Sequence, residues 1–225
     1  MSELLPLFPL PNVVLFPNVF LPLHVFEPRY REMVADALAG DRLVGMVLLR
    51  PGYERDYEGR PPIYPVGCRG VMTHAERLAD GRFNIVLRGL DRFRITGEDH
   101  ERSYRRASIE MLHEHPLDPA ERTRVKEQRS KIESLLAPIV EKGAIPGAEG
   151  GRGEGAPGVS TDSKLPTAMS DEDLIHALAQ YLDLEPLEKQ ALLERPCLLT
   201  RAHSLVELLE MRLMAARGPS SHFAH

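Results

Sequence analysis

The chain has 225 residues, of which 43% are hydrophobic and 27% are charged. This composition is typical of a globular protein and excludes a fibrous or wholly disordered one. The formal net charge of −5 argues against a broad electrostatic grip on nucleic acid, because such binding neutralises many phosphates. The N-terminus lacks a basic region, and no stretch has the roughly 18 consecutive apolar residues of a membrane span. We therefore expect a cytoplasmic protein that does not associate with membranes.

The first hundred residues are predicted to be mainly strands. Apolar runs at 4–10, 13–16 and 20–25 are separated by prolines, which remove backbone donors and so favour short strands or strands at sheet edges. A nearly continuous apolar run at 43–49 fits a strand covered on both faces. The dipeptide at 80–81, Asp-Gly, lies between two strand-like runs and predicts a hairpin. Several antiparallel strands with short turns suggest a small barrel or a curled sheet.

Helices are predicted at several points along the chain. Apolar residues recur at helical spacing from Tyr30 to Leu38, where Pro28 suits the first helical position and Gly40 suits the C-terminal cap. Asp118 to Glu121 and Ser170 to Asp173 are capping-box patterns that predict helix starts. Two further helices are predicted, at residues 187–194 and before Gly218.

These elements predict an α+β protein with two parts. Residues 1–116 are expected to form a β-barrel subdomain with one inserted helix, and residues 117–218 a helical bundle. Within the second part, residues 143–169 are rich in glycine, proline and small polar residues, which predicts a flexible linker. The last residues, 219–225, are expected to be a disordered tail.

The sequence lacks the common motifs of catalysis. A nucleotide-binding P-loop needs Gly-Lys followed by Ser or Thr, and no Gly-Lys pair occurs. Gly153, Gly155 and Gly158 have the spacing of a dinucleotide-binding loop, but they follow no predicted strand and open no predicted helix. Cys68 and Cys197 form no Cys-x-x-Cys pair, so the sequence predicts neither a zinc ribbon nor a disulfide framework. We predict no catalytic residue and no cofactor.

Two groups of residues are candidates for binding. Tyr53, Arg55 and Tyr57 lie in a polar loop between two predicted strands, where a binding module presents aromatic anchors. The alternative is that these tyrosines only cover the end of the barrel. The second group is a series of arginines that either forms a basic stripe for phosphates or makes cross-strand ion pairs. It consists of Arg88, Arg92, Arg94, Arg102, Arg105 and Arg106.

A third hypothesis is a metal site. His113 and His115 would lie on the same face of a strand, and His100 or Asp118 would add a ligand. No third ligand has a compelling position, so a solvated strand end explains the histidines more simply. We predict no bound metal.

Several runs of sequence occur together in an order that is specific to one family. They are LPLFPL at 5–10, VLFP at 14–17, LPLHVFEPRY at 21–30, IYPVGC at 63–68, the hairpin at 80–95 and EKQALLE at 188–194. Over roughly residues 4–214 the chain resembles the N-terminal, substrate-binding domain family of Lon proteases. The resemblance implies a PUA-like β-barrel packed against a helical bundle.

The resemblance also implies a function. The chain is expected to be a free-standing, noncatalytic module that recognises unfolded or tagged polypeptides or a partner protein, without the ATPase and peptidase modules of the protease. A monomer or weak dimer is expected. The alternative is an RNA-binding PUA-like protein that uses the stripe from Arg88 to Arg106.

Among the matched residues, Glu27 and Arg29 are expected to orient the turn into the first helix. Core positions are expected for Phe8, Leu10, Phe16, Leu23, Phe26 and Tyr30.

Overall fold

A computed structural model describes residues 4–141 and 169–217. Within these ranges the strands are β1 (Leu5–Leu10), β2 (Phe20–Val25), β3 (Leu43–Leu48), β4 (Val66–Arg77), β5 (Phe83–Asp99) and β6 (Arg105–Leu112). The helices are α1 (Pro28–Ala39), α2 (Pro119–Glu141), α3 (Asp171–Tyr181), α4 (Pro186–Leu193) and α5 (Leu198–Arg217), with a short 3-10 turn at Tyr53–Asp56. The predicted linker at 143–169, except its last residue, and the predicted tail at 219–225 lie outside the described residues. No described helix is both long enough and apolar enough to cross a membrane.

Five strands close into a ring. β5 pairs with β4, β4 with β3, β3 with β1 and β1 with β6, and β6 returns to the second half of β5. β2 stands outside the ring, because it pairs only with the first half of β5. The predicted barrel with one inserted helix is therefore confirmed, since α1 lies between β2 and β3 in the chain. One pairing departs from the antiparallel expectation, because β1 and β3 run parallel.

The ring encloses a small apolar cluster of its own. The cluster consists of Leu5, Leu7, Val47, Phe93 and Ala107. Two strand glycines leave room for the Phe93 ring: a Cβ atom at either Gly45 or Gly67 would lie 2.8 Å from the tip of that ring. This distance is shorter than van der Waals contact allows, so the interior is filled to capacity.

The predicted strand at residues 13–16 is wrong. Val14, Leu15 and Phe16 are buried, as their apolar character indicates, but they pair with no strand. The amide N–H of Phe16 donates instead to Oε1 of Gln180 in α3, at 3.2 Å. Apolar content therefore predicted burial correctly, whereas the partner that satisfies the backbone is a helix side chain from the far end of the chain.

The helix starts that capping patterns predicted are confirmed. At α2, the N–H of Glu121 donates to Oδ1 of Asp118 at 2.7 Å, and the N–H of Asp118 donates to Oε2 of Glu121 at 2.9 Å. At α3, the N–H of Asp173 donates to Oγ of Ser170 at 3.0 Å. These bonds satisfy backbone donors that the first helical turn leaves without partners.

The barrel and the helices share a second, larger core. The predicted boundary at residue 116 lies between β6 and α2. Buried side chains from both sides of that boundary belong to one continuous cluster, which includes Met46 and Leu87 from the strands and Ile132, Ile175 and Leu205 from the helices. The helices therefore bury their apolar stripes against the sheet and not against one another alone.

The substitution Gly45→Ala tests how tightly the ring interior is packed. The added methyl group would meet Phe93, Leu5 and Leu7, and such overpacking lowers the free energy of unfolding by about 1–3 kcal/mol. Gly97→Ala is the matched control, because a Cβ atom there has no neighbour within 4 Å, and its effect should stay within about 0.5 kcal/mol. Urea unfolding measures both variants, and equal stabilities would contradict a filled interior.

Candidate functional site

Arg92 of β5 joins the barrel to the helices. Its side chain is buried, and Nη1 donates to the carbonyls of Leu193 at 3.0 Å and Arg195 at 2.7 Å, while Nη2 donates to the carbonyl of Pro196 at 3.2 Å. These carbonyls lie at the C-terminal end of α4, where a positive charge is favourable. A strand side chain thus caps a helix of the bundle.

A single carboxylate oxygen holds Arg92 to a second buried arginine. Oε1 of Glu114, just after β6, lies 2.8 Å from Nη2 of Arg92 and 2.6 Å from Nη2 of Arg201 in α5. Arg201 is completely buried, and it also donates to Nε2 of His176 in α3 at 2.8 Å. We call Arg92, Glu114, His176 and Arg201 the buried arginine cluster. It fixes the position of α3 and α5 on the barrel.

His176 enters this cluster as a neutral side chain. Burial lowers the pKa of His176 to about 3, and the positive charges of Arg201 and Arg92 act in the same direction. A neutral imidazole can accept a hydrogen bond at Nε2, which the donor Arg201 requires. The cluster therefore depends on the uncharged form of this histidine.

β2 presents aromatic side chains to solvent. The inner side of the strand packs against the core, whereas Phe20 on the outer side is 49% exposed. Phe26, directly after the strand, is 60% exposed, so its predicted core position is wrong. The alternation of a strand places Phe26 on the same side as Phe20. We define the aromatic face as Phe20, Pro22, His24, Phe26 and the neighbouring Tyr181.

Tyr181 at the end of α3 extends this face from the barrel onto the bundle. Its side chain is 61% exposed, and its hydroxyl donates to the carbonyl of Phe20 at 2.9 Å. A groove of about 590 Å³ lies beside this contact, between Phe20 and Arg88 on the barrel and Ala177 and Tyr181 on α3. The buried arginine cluster positions α3 and therefore also shapes this groove.

The structure brings together two of the five predicted binding residues. Tyr57 and Arg105 line one cavity of about 210 Å³, which we call the Tyr–Arg cavity, with Tyr30, Arg60 and Tyr104. Arg105 is held in place by its neighbours. Its Nε and Nη2 donate to the Glu98 carboxylate at 2.8 and 3.1 Å, and its Nη1 donates to the carbonyl of Pro61 at 2.6 Å.

Tyr57 closes the loop over the start of α1. Its hydroxyl donates to Oε1 of Glu27 at 2.6 Å, and burial together with this bond raises the pKa of Tyr57. The Arg29 guanidinium lies 4.7 Å from the centre of the Tyr30 ring and 5.2 Å from that of the Tyr57 ring. Nε of Arg29 donates to Oε2 of Glu27 at 3.0 Å, so both residues order the turn into α1.

The other three predicted residues lie outside the cavity. Tyr53 packs its edge against the Tyr57 ring, with 6.1 Å between the ring centres. Arg55 is exposed on the same loop. Arg106 donates to Oδ1 of Asp99 at 2.9 and 2.5 Å and faces a different cleft. A binding role for each of these residues stays a prediction.

The six arginines between 88 and 106 do not lie on one exposed stripe. Arg92 and Arg105 are buried, and Arg106 is paired with Asp99. Only Arg88, Arg94 and Arg102 are exposed. The positive charge available to phosphates is therefore much smaller than the sequence suggests.

The described residues contain no group of three or more His, Cys, Asp or Glu side chains that could hold a metal ion. The Cys68 thiol is also unsuited to nucleophilic chemistry, because burial raises the pKa of Cys68 to about 12. The arrangement at the aromatic face and at the Tyr–Arg cavity is suited to binding.

The comparisons with known proteins agree with this fold. The model of the family described as ATP-dependent protease La (LON) substrate-binding domain matches residues 4–211. The chain belongs to this family. Lon protease 2 of Myxococcus xanthus is 26% identical over 218 residues, which cover 93% of this chain and 24% of that protease. Lon protease 2 of Sorangium cellulosum is 32% identical over 113 residues, or 50% of this chain and 14% of the relative. The chain thus spans a quarter or less of the length of these relatives.

Solved structures of Lon N-terminal domains share the fold. The N-terminal domain of Mycobacterium avium complex Lon protease has a TM-score of 0.63 and 15% identity to this chain. The Lon N-terminal domain protein from Xanthomonas campestris has a TM-score of 0.55 and 21% identity. Each likeness covers 92% of this chain and 98% of the other. The family and the fold that the sequence runs indicated are therefore confirmed.

The aromatic face has little signal in the amino-acid sequence. Five of the six β2 residues are apolar, so the alternation of buried and exposed positions leaves no polar residue pattern except at His24. Pro22 was the available signal, because proline inside a strand indicates a free edge. Tyr181 was hidden by its position at the end of an amphipathic helix, where exposure depends on which element packs beside it.

The substitution Glu114→Gln tests the buried arginine cluster. It removes the negative charge between two buried guanidiniums, and leaving such charges unpaired costs about 3–5 kcal/mol. We expect a loss of about 2–4 kcal/mol in the free energy of unfolding, because Glu114 is itself 29% exposed. Glu210→Gln is the control, since its pair with Lys131 is largely exposed and should contribute less than about 1 kcal/mol. Equal losses in the two variants, measured by urea unfolding, would contradict the cluster.

The acid sensitivity of the fold tests the neutral state of His176. The unfolded chain takes up a proton on this histidine below a pH of about 6.5, whereas the folded chain does so only near a pH of about 3. The stability that His176 contributes is therefore complete above pH 6.5 and is lost as the pH falls toward 3. In His176→Gln, the free energy of unfolding should fall less steeply between these limits, by up to about 1.4 kcal/mol per pH unit. Parallel pH profiles for the two proteins would disprove this assignment.

Proposed function

We propose that this chain is a noncatalytic module that recognises unfolded segments of polypeptide through the aromatic face. The observation that carries the proposal is the exposure of Phe20 and Phe26 at one edge of the barrel and of Tyr181 at the adjoining end of α3. Large aromatic side chains that remain exposed together commonly mark a surface that binds another protein. The family described as a Lon substrate-binding domain supports the same conclusion.

Side chains, more than backbone, would hold the polypeptide. The carbonyl of Phe20 already accepts a hydrogen bond from the Tyr181 hydroxyl. The N–H and C=O groups of Phe20 therefore point away from β5. Two residues further along the strand, the backbone of Pro22 faces the same side, and proline has no N–H that could donate a hydrogen bond. The free edge of β2 therefore lacks the regular donors and acceptors that strand addition needs.

This chemistry fits an unfolded segment better than a folded partner. Unfolded chains expose apolar side chains that folded proteins bury. From Phe20 to Phe26 the aromatic face extends about 20 Å, at about 3.3 Å for each strand residue. A row of this length can contact several side chains of one extended segment, and each contact would be weak.

The surroundings of the face also suit a polypeptide. Arg88 lies opposite Phe20 and Asn84 lies opposite His24 on the neighbouring strand. The Asn84 Oδ1 accepts from Nδ1 of His24 at 2.7 Å, so this part of the face is ordered. A polar rim around apolar centres is the usual composition of a protein interface.

The double substitution Phe20→Ser and Phe26→Ser tests the proposal. We expect the affinity for a reduced, carboxymethylated protein that stays unfolded to fall at least about tenfold, since aromatic contacts that matter are each worth more than about 1 kcal/mol. Fluorescence anisotropy with the labelled unfolded protein measures this change. Circular dichroism confirms that the variant is folded.

The matched control is Met211→Ser with Met214→Ser. These two methionines are 57% and 74% exposed, and they belong to α5, which packs against α2, α3 and α4. Their loss removes comparable apolar surface, and the affinity should change less than about twofold. Equal weakening by the two double variants would indicate non-specific apolar contact and would contradict the proposal.

A further inference from the structure

The Tyr–Arg cavity is lined by a cation, Arg60, that pairs with no acidic side chain of the described residues. Nη1 and Nη2 of Arg60 donate to the carbonyls of Asp99 and Arg102, at 3.1 and 3.2 Å. No carboxylate of the described residues lies within 4.0 Å of this guanidinium. The two carbonyl bonds hold the side chain in place but leave its full positive charge and three of its five N–H donors available.

The cavity also contains a hydroxyl group without a partner. Tyr30 is only 4% exposed, yet its hydroxyl makes no hydrogen bond with any of the described residues. Its ring is fixed from two sides, by Phe8 at 4.6 Å between ring centres and by Arg29. Burial raises the pKa of Tyr30 above its ordinary value, so the hydroxyl remains protonated and is a donor.

Neighbouring groups favour an anion over a neutral ligand. Arg105 lines the same cavity with its guanidinium fixed by Glu98 and Pro61. Arg102 lies at the rim, where its Nη1 pairs with the carboxylates of Glu32 and Asp36 at 3.7 Å each. The cavity is thus rich in N–H and O–H donors, and among its lining arginines Arg60 alone has no ion pair with the described residues, while Glu58 adds one exposed carboxylate at the rim.

The dimensions suit a small group. The volume is about 210 Å³, far above the roughly 15 Å³ that a single buried water requires. Tyr104 and Pro61 form a buried floor, while Glu58 and Ser103 at the rim are exposed. A ligand could therefore enter from the side of the loop at 50–62.

We propose that the Tyr–Arg cavity binds a small oxyanion, which is a phosphate or a carboxylate group. Arg60 supplies the charge, and the Tyr30 hydroxyl and Arg105 supply oriented donors. The two sources of such a group are free phosphate and the carboxylate at the end of a polypeptide. This site is separate from the aromatic face and does not depend on the function proposed for it.

The test uses the full chain and follows the backbone amides of Gly59 and Ser103, which line the cavity, by NMR. One titration uses inorganic phosphate against chloride at constant ionic strength. Another uses an acetylated tetra-alanine peptide with a free carboxylate, and a third uses the same peptide with an amidated C-terminus. We expect saturable shifts of both amides with phosphate, with the free-carboxylate peptide, or with both, and none with the amidated peptide.

Two variants separate a binding site from a general effect of charge. Tyr30→Phe keeps the ring contacts and removes only the hydroxyl, and Arg60→Gln removes the free charge. Together they should weaken the Kd at least about tenfold. Arg50→Gln is the matched control, because Arg50 begins the same loop but does not line the cavity, and its Kd should stay within about twofold.

Shifts with phosphate alone assign the site to free phosphate, and shifts with the free-carboxylate peptide assign it to polypeptide ends. Two results would overturn the proposal. One is the absence of saturable shifts with both ligands up to about 50 mM, which corresponds to very weak binding. The other is an unchanged Kd in the double variant while it remains folded. Either result would leave the role of the aromatic face intact, because that face is tested with different residues.

Discussion

Two buried guanidiniums that share one carboxylate oxygen are the constraint on which the rest of this structure depends. Removing ions from water costs several kcal/mol for each ion, and one carboxylate cannot offset two cations by itself. The remaining compensation comes from the carbonyls at the end of α4 and from the neutral imidazole of His176. The two guanidiniums and their partners belong to five separate parts of the chain, which are β5, the residue Glu114 after β6, α3, the end of α4, and α5. The helical bundle can therefore satisfy the charges in only one position on the barrel.

That position creates the surface to which we assign a function. With α3 held in place, the hydroxyl of Tyr181 reaches the carbonyl of Phe20. Strand β2 lies outside the closed ring, and within the described part of the chain no strand pairs with its other side, so its outer side chains stay exposed. Closure of the ring removes other edges that could pair with foreign strands. The contact between barrel and bundle thus contributes both to the stability of the fold and to the shape of the aromatic face.

Local features could be predicted from the sequence, because they depend on neighbours in the chain. The capping boxes at Asp118 and Ser170 and the turn at Gly81 follow from backbone chemistry that a few residues determine.

Long-range features could not be predicted from the sequence, because they depend on residues that are far apart in the chain. Arg92 resembles its neighbouring arginines in sequence, and only the docking of α4 distinguishes it. Tyr57 and Arg105 were predicted separately, and their common cavity depends on a loop that folds across the barrel. Phe26 was placed in the core because aromatic residues usually pack, whereas its strand leaves it at an edge.

The most direct test of the central claim is to map where an unfolded polypeptide contacts the chain. The measurement is an NMR titration of the isotope-labelled chain with an unlabelled protein that is kept unfolded by reduction and carboxymethylation. We predict that the largest shifts occur at residues 20–26 and at Tyr181, with little change at Met211 and Met214. Shifts concentrated on α5, or the absence of shifts along β2 at saturating polypeptide, would contradict it.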